Sequence, residues 1–284
     1  MMRSLFSGVA GLKAYQTGMD VIGNNIANVN TYGFKSSKTT YRDVYYQTVS
    51  GSSNANTASS VGGGNPAQIG YGSTAATVDV INTRSGMATT GNDKDCYIDG
   101  EGYFVVKDGD GYLYTRVGSI GFDGEGNLVD GNQKLICGVT GATDQEANAI
   151  AKPDIITITD YNKYKNITIG SDGKITGELD GTVTTLGTIA MANIPNPDGL
   201  TLQGGSYLKS VSNAESSGTG PKITYYAPGS GATGSLVTGA LESSNVDLAN
   251  EFSQMIITER GFQANSKIIT VSDEMLEDLV NLKR

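Results

Sequence analysis

The chain has 284 residues and contains no histidine and no tryptophan. Without histidine, Ser-His-Asp and Cys-His nucleophile systems, HExxH zinc sites and histidine pH switches are excluded together. Carboxylate, lysine or tyrosine chemistry stays open. Charged residues are scarce, 17% of the chain, and the balance is acidic at −9. No basic cluster is present to neutralise phosphates, so a nucleic-acid partner is not expected. No apolar run approaches the ~18 residues needed to span a bilayer, so no membrane insertion is expected. The start, Met1 to Ala10, is diluted by Ser4, Ser7 and Gly8 and followed by Lys13 with no small-x-small site. No cleaved signal peptide is expected. Two cysteines, Cys96 and Cys137, are too few for a disulfide scaffold. They read as two small buried thiols, a single bridge being the alternative.

Glycine is abundant, 39 residues against only 6 prolines. That is about twice the usual ~7% share, which favours turns and short strands. The length predicts one large or two medium domains.

Three kinds of sequence follow one another. Residues 4–29 predict a helix: Leu5, Leu12, Met19 and Ile26 recur at sevens, with Gly8, Tyr15, Ile22 and Val29 three further on. That is the a/d pattern of a coiled-coil seam. Asn28, Asn30 and Gly33 supply stop chemistry. Residues 243–282 predict a second helix, with Ser244 as N-cap and Asp247 closing a capping box. Leu248, Met255, Phe262, Ile269 and Leu276 recur at sevens, with Phe252 opening the companion row, whose middle is polar. Residues 1–43 carry a charge of +3 and residues 242–284 a charge of −4, a weak complementarity between the ends. Residues 50–75, rich in Ser, Gly, Asn and Ala, read as a linker or long irregular arm.

Residues 77–240 are β-like. Tyr103–Lys107 and Tyr112–Arg116 flank Asp108-Gly109-Asp110-Gly111, a strong hairpin signal. Further strands are predicted at 78–81, 135–139, 155–158, 167–169, 183–194 and 223–226. The expected fold is mainly β with N- and C-terminal helices that pair as a coiled coil. The expected division is 1–30 plus 243–284 as a helical core, 31–76 as an arm, and 77–242 as a β-rich outer domain.

No chemistry emerges from the candidate motifs. Asp123-Gly124-Glu125-Gly126-Asn127 starts like a calcium loop but continues with Leu128 and Lys134 where glycine and glutamate are required. Nothing pairs Asp99, Glu101, Asp108 and Asp110 for acid/base work. Gly62-Gly63-Gly64 lacks the Lys-Ser/Thr of a phosphate loop. No catalytic, metal or cofactor site is expected. The informative residues are those of the two end helices, read as a self-assembly surface. Two other classes remain as rivals: a secreted β-rich binding module and a carboxylate-dependent glycan hydrolase.

Three segments then carry a resemblance. Ile22-Gly23-Asn24-Asn25-Ile26-Ala27-Asn28-Val29-Asn30-Thr31-Tyr32-Gly33-Phe34-Lys35 resembles the N-terminal motif of the bacterial flagellar rod and hook proteins. Leu241–Leu248 with Arg260–Ser266 and Ser272–Leu276 resembles the C-terminal motif, and Ile98–Val106, Tyr114–Gly118 and Ala192–Pro197 resemble the middle. Within the family the chain most resembles the hook protein, through Ile22–Ile26 followed by Asn65–Gly72, with the distal rod protein as the alternative. It is short for a hook protein, so a large extra outer domain is expected to be missing near residues 140–165.

The resemblance implies a non-enzymatic subunit, exported without a cleaved signal through the flagellar type III apparatus and located outside the cell in the hook or basal body. It implies a helical homopolymer, with the hook cap, distal rod and hook-filament junction proteins as partners. It also implies motif roles for Asn24, Asn25, Asn28, Gly33 and Phe34. An export motif is expected at Tyr41–Tyr45, where tyrosine stands in place of the usual phenylalanine.

Overall fold

The computed structural model describes residues 2–54, 62–109, 111–141, 150, 152–215 and 222–282. Asp110 of the expected hairpin turn, residues 55–61 of the expected arm and residues 142–149 lie outside them. The fold is mainly β, with more residues in strands than in the two helices, and it divides into two compact units.

The first unit comprises Met1–Val29, Ser36–Ile81 and Val246–Arg284. Helix α1 spans Met2–Ala27 and helix α2 spans Leu248–Asn281. The N-cap of α2 is Asp247, not Ser244: its Oδ1 accepts from Ala249 N at 2.9 Å and Asn250 N at 3.4 Å. An aspartate three residues later than expected supplies both the acceptor and a negative charge at the positive helix end.

The helices lie antiparallel. Ser4 Oγ meets Ser272 Oγ at 3.3 Å near one end, and Gly18 sits by Thr258 near the other. The buried side of α1 is Gly8, Gly11, Ala14, Gly18, Ile22 and Asn25, a stripe of mostly small residues. Close approach is what selects them. A Cβ on Gly11 would meet the Asn265 amide at 2.9 Å, and one on Gly261 would lie 2.6 Å from the Tyr15 ring. The roughly 1 kcal/mol that a mid-helix glycine costs against alanine is set against this contact.

The segment expected as an irregular arm is a two-stranded antiparallel ribbon. Strands β1 (Ser37–Asp43) and β2 (Tyr46–Ser50) pair respectively with β4 (Ser73–Val80) and β3 (Ala67–Gly70). A further bridge joins Ser53 to Gly64. Threonines and tyrosines inside the Ser/Gly-rich stretch give it strand character, and Thr40 and Thr77 bond across it at 2.6 Å.

The second unit comprises Asn30–Lys35 and Asn82–Asn245. Its strands are β5 (Met87–Thr89), β6 (Cys96–Asp99), β7 (Tyr103–Asp108), β8 (Gly111–Thr115), β9 (Ile120–Phe122), β10 (Leu128–Asp130), β11 (Cys137–Thr140), β12 (Asp154–Ile155), β13 (Lys165–Ile169), β14 (Lys174–Leu179), β15 (Thr182–Ile189), β16 (Met191–Asn193), β17 (Leu200–Leu202), β18 (Tyr207–Ser210), β19 (Thr224–Tyr226), β20 (Ser235–Thr238) and β21 (Ala240–Glu242). A six-stranded sheet runs β17-β18-β8-β7-β16-β19 and a five-stranded one β12-β11-β15-β14-β13. Pairs β20-β6, β21-β5 and β10-β9 complete it.

The expected hairpin is β7–β8, in register from Phe104↔Thr115 to Asp108↔Gly111. Phe104, Val105 and Val106 are all fully buried, because β7 has an apolar cluster on each face. Its uninterrupted apolar run is the pattern of a strand covered on both sides. The Asp123 loop is a turn: its Oδ1 accepts from Gly124 N, and its carbonyl accepts from Gly126 N.

Cys96 and Cys137 are free and wholly buried. Burial pushes their thiols up, to about 12 for Cys96 and about 11 for Cys137. The thiolate is the reactive form. Neither thiol is expected to react with Ellman's reagent at pH 8 in the native protein, and both should react once guanidinium unfolds it. Rapid native-state labelling of either would contradict this packing.

Candidate assembly surface

Two features stand out: the exposed apolar flanks of α2 in the first unit and a buried charge cluster in the second. On α2, Met255, Ile269 and Leu276 are half-buried on the side turned to α1. That side also carries Glu251, Thr258, Gly261, Asn265 and Ser272, so it is largely polar or small. Leu248, Phe252 and Phe262 are exposed, Phe252 by 50%. At 100° per residue, Leu248, Phe252 and Ile256 line one flank of the α1-facing stripe. Ile257, Ile268, Val271 and Met275 line the other, all exposed, with Ile257 at 69%. On α1, Leu5, Leu12, Met19 and Ile26 are half-buried beside the glycine stripe, Ile22 is buried, and Phe6 and Val9 are exposed; Val29, half-buried, lies in the turn beyond the helix. The ring of Tyr15 packs beside Gly261 and lies 6.0 Å from that of Tyr41. The ribbon exposes Tyr45, Tyr46, Val49 and Ile69. Solvated single apolar residues are ordinary; whole flanks of them mark an interaction surface.

The motif asparagines have distinct tasks. Asn25 is buried, and its amide mimics a strand partner: Nδ2 donates to Ser37 O at 2.8 Å, and Oδ1 accepts from Ser37 N at 2.9 Å. It ties the last turn of α1 to the start of β1. Asn28 Nδ2 donates to the Asn24 carbonyl at 2.9 Å and to Asn24 Oδ1 at 3.1 Å, closing the helix end. Gly33 takes φ 67°, in the left-handed region, and its N–H donates to Glu242 O at 2.8 Å. Phe34 is half-buried.

Sequence reasoning assigned no role to Lys35, Arg116 or Glu242. In the second unit they form one buried cluster. Glu242, on β21, accepts on Oε1 from Lys35 Nζ at 2.6 Å and from Ser85 N at 3.1 Å. Its Oε2 accepts from Arg116 Nη1 at 3.5 Å. Lys35 Nζ also donates to Thr83 O at 2.8 Å. The Arg116 guanidinium lies 5.1 Å from the Tyr103 ring centre, with Nη2 at 3.7 Å from Glu101 Oε2. Burial holds the Lys35 ammonium below the usual lysine range, and the hydrogen bond and charge of Glu242 oppose that shift. The sequence signal is faint: each charge stands alone at the end of a neutral run, as in Gly239-Ala240-Leu241-Glu242. Removing one partner of a buried ion pair costs about 3–5 kcal/mol, because the remaining charge stays desolvated.

Among the described residues no group of three or more His, Cys, Asp and Glu is placed to hold a metal ion. The arrangement is a mainly β chain with a helix at each end, of which α2 exposes two apolar flanks. Three family models match it in chain order. "Flagella basal body rod protein" matches residues 5–35, "Flagellar hook protein FlgE/F/G D1 domain" residues 97–177, and "Flagellar basal body rod FlgEFG protein C-terminal" residues 237–282. The chain is 44% identical over 285 residues to the flagellar basal-body rod protein FlgG of Bacillus subtilis (strain 168), covering all of both proteins. It is 34% identical over 290 residues to FlgG of Borreliella burgdorferi, again over both full lengths. The flagellar hook protein FlgE of the same organism is 25% identical over an alignment of 449 residues covering both proteins. The chain therefore belongs to the flagellar rod and hook protein family, whose members are structural parts of the flagellum. The expected preference for hook over rod is corrected, since these rod proteins are more similar and match in length.

Replacing buried Asn25 by alanine removes both its bonds to the Ser37 backbone and should lower stability by about 1–3 kcal/mol in urea unfolding. Asn24→Ala, at an exposed position, should change it by no more than about 0.5 kcal/mol. Equal effects from the two would contradict the separate roles.

Proposed function

We propose that this chain is a structural subunit of the flagellar basal-body rod, in its distal segment, and that it self-associates into a straight helical tube. Full-length 44% identity to a rod protein carries the choice of rod over hook. The apolar flanks of α2 support self-association. One monomer covers a largely polar and small-residue stripe of that helix together with Met255, Ile269 and Leu276, and leaves Phe252, Ile256, Ile257 and Val271 exposed, to be buried against another chain. Fully burying one such side chain contributes about 1.5–3 kcal/mol. Contacts between different patches on successive copies do not close on themselves and build an open helical array. The helices then zip in coiled-coil fashion with those of neighbours, using the sevenfold rows of both ends. The base of the ribbon packs on α1, and neighbouring copies would cover the exposed Tyr45 and Tyr46 further along it.

On this reading the chain has no catalytic task. It resides in the flagellum, leaves the cell by the type III export route, and contacts copies of itself and adjoining rod and hook components.

Electron microscopy of the concentrated protein in a salting-out buffer tests this. Straight tubes are expected; curved tubes would favour a hook subunit, and a stable monomer would overturn the reading. Phe252→Asp and Ile257→Asp change exposed side chains, so each should leave the monomer folded by circular dichroism. Either should raise the concentration needed for tubes by at least about tenfold, since a charge would have to be buried in an apolar contact. Normal tubes from both would remove α2 from the interface.

A further inference from the structure

The Glu242 carboxylate joins parts of the second unit that are far apart in the chain. Lys35 precedes it by 207 residues, Ser85 by 157 and Arg116 by 126. Backbone bonds follow the same junction: Gly33 N donates to Glu242 O at 2.8 Å, and Ser243 N donates to Gly86 O at 3.0 Å. Ser85 Oγ reaches Ser244 O at 2.9 Å, and Asn245 Nδ2 reaches Thr83 Oγ1 at 3.2 Å. The residues where the chain passes into and out of this unit, 33–35, 83–86 and 242–245, thus meet around one anion.

The charges are unbalanced without it. Lys35 and Arg116 are both buried, and each cation opposes the other. The carboxylate of Glu101 is 3.7 Å from Arg116 but exposed, with 76% of its side chain in solvent. Glu242 is the buried anion the two cations share, and its side chain is wholly buried. Two desolvated like charges in one place are prohibitive unless a counter-charge arrives with them. The β7–β8 hairpin touches this cluster only where Arg116 lies over the Tyr103 ring, and the rest of its ladder is backed by apolar residues.

We propose that Glu242 is a charge-dependent latch: the junction of residues 33–35 and 83–86 closes only when the C-terminal strand β21 docks and brings its carboxylate between Lys35 and Arg116. The second unit then forms in two stages. The β7–β8 hairpin forms first, from strands adjacent in sequence, and β16, β18 and β20 pack on it to complete the apolar core. The junction closes last, and with it the chain segments leading to both helices become fixed. A chain whose β21 has not docked keeps those segments loose while its β core is already built. This inference concerns the dilute monomer and does not depend on the tube reading.

Native-state hydrogen exchange on the full-length protein tests it. Glu242→Gln keeps the shape and removes the charge. Exchange at Gly33, Ser85 and Ser243 should quicken by at least about tenfold, with the β7–β8 ladder changed by less than about threefold. Lys35→Met added to Glu242→Gln removes the excess cation and should restore the junction amides to within about threefold of the parent. Should Glu242→Gln fail to fold, recovery of a folded protein by the double variant supports the latch, and failure of both overturns it. Parent-like protection in Glu242→Gln, uniform loss across the β7–β8 ladder, or no rescue by Lys35→Met would also overturn it. Pulse labelling during refolding reads the order. Gly33, Ser85 and Ser243 should become protected together and after the β7–β8 ladder; protection of Ser85 before Ser243 would overturn the proposal.

Discussion

The close approach of α1 and α2 through small residues is the constraint from which the rest of the first unit follows. Glycines on α1 and Gly261 on α2 let the helices meet with the Tyr15 ring and the Asn265 amide filling the gap. Few large side chains enter that seam, Tyr15, Ile22 and Ile269 among them, and many others lie on its flanks. On α1 the leucines at 5 and 12 become half-buried shoulders. On α2 the flanks are more exposed: the phenylalanine at 252 and the isoleucines at 256 and 257 face outward. A helix pair built this way meets through small and polar residues while leaving much of the apolar surface of α2 to others. That division of labour suits a subunit meant to be completed by neighbours.

The second unit follows the opposite rule. Its sheets close over apolar clusters on both faces of β7 and leave a polar, turn-rich exterior. Its costliest residues are buried charges, spent where the chain crosses into and out of the unit. The N-terminal motif is thereby divided. Asn25 and Asn28 organise the end of α1 and its link to β1, whereas Gly33 and Lys35 serve the junction around Glu242. One short sequence signature answers two structural demands.

Local patterns were the legible part. The helices, the β7–β8 hairpin and the Asp-Gly turns each follow from periodicity or turn chemistry within a few residues. The heptad rows at 5, 12, 19 and 26 marked α1 correctly, but the phase of its contact was not readable. Apolar periodicity favours large side chains, and the observed contact runs through glycine and alanine beside them. The ribbon was hidden because Ser/Gly-rich composition masks the cross-strand pairing of Thr40 with Thr77 and of Tyr46 with Gly70. The cluster of Lys35, Arg116 and Glu242 was not readable at all. Three lone charges separated by up to 207 residues carry no spacing signal, and only the fold brings them together. The similarity to rod and hook proteins was legible in three motifs, but they are common to both branches. Full-length comparison, which weighs the positions between the motifs, favours the rod.

A helical reconstruction of the assembled tube, at a resolution that places side chains, would test the central claim most directly. The account predicts that Leu248, Phe252 and Ile256 on one flank of α2, and Ile257, Ile268, Val271 and Met275 on the other, lie within about 4.5 Å of apolar atoms from neighbouring copies. It also predicts that the seam between α1 and α2 is retained within each copy. A tube held together through the second unit alone, with both flanks of α2 still open to water, would contradict it.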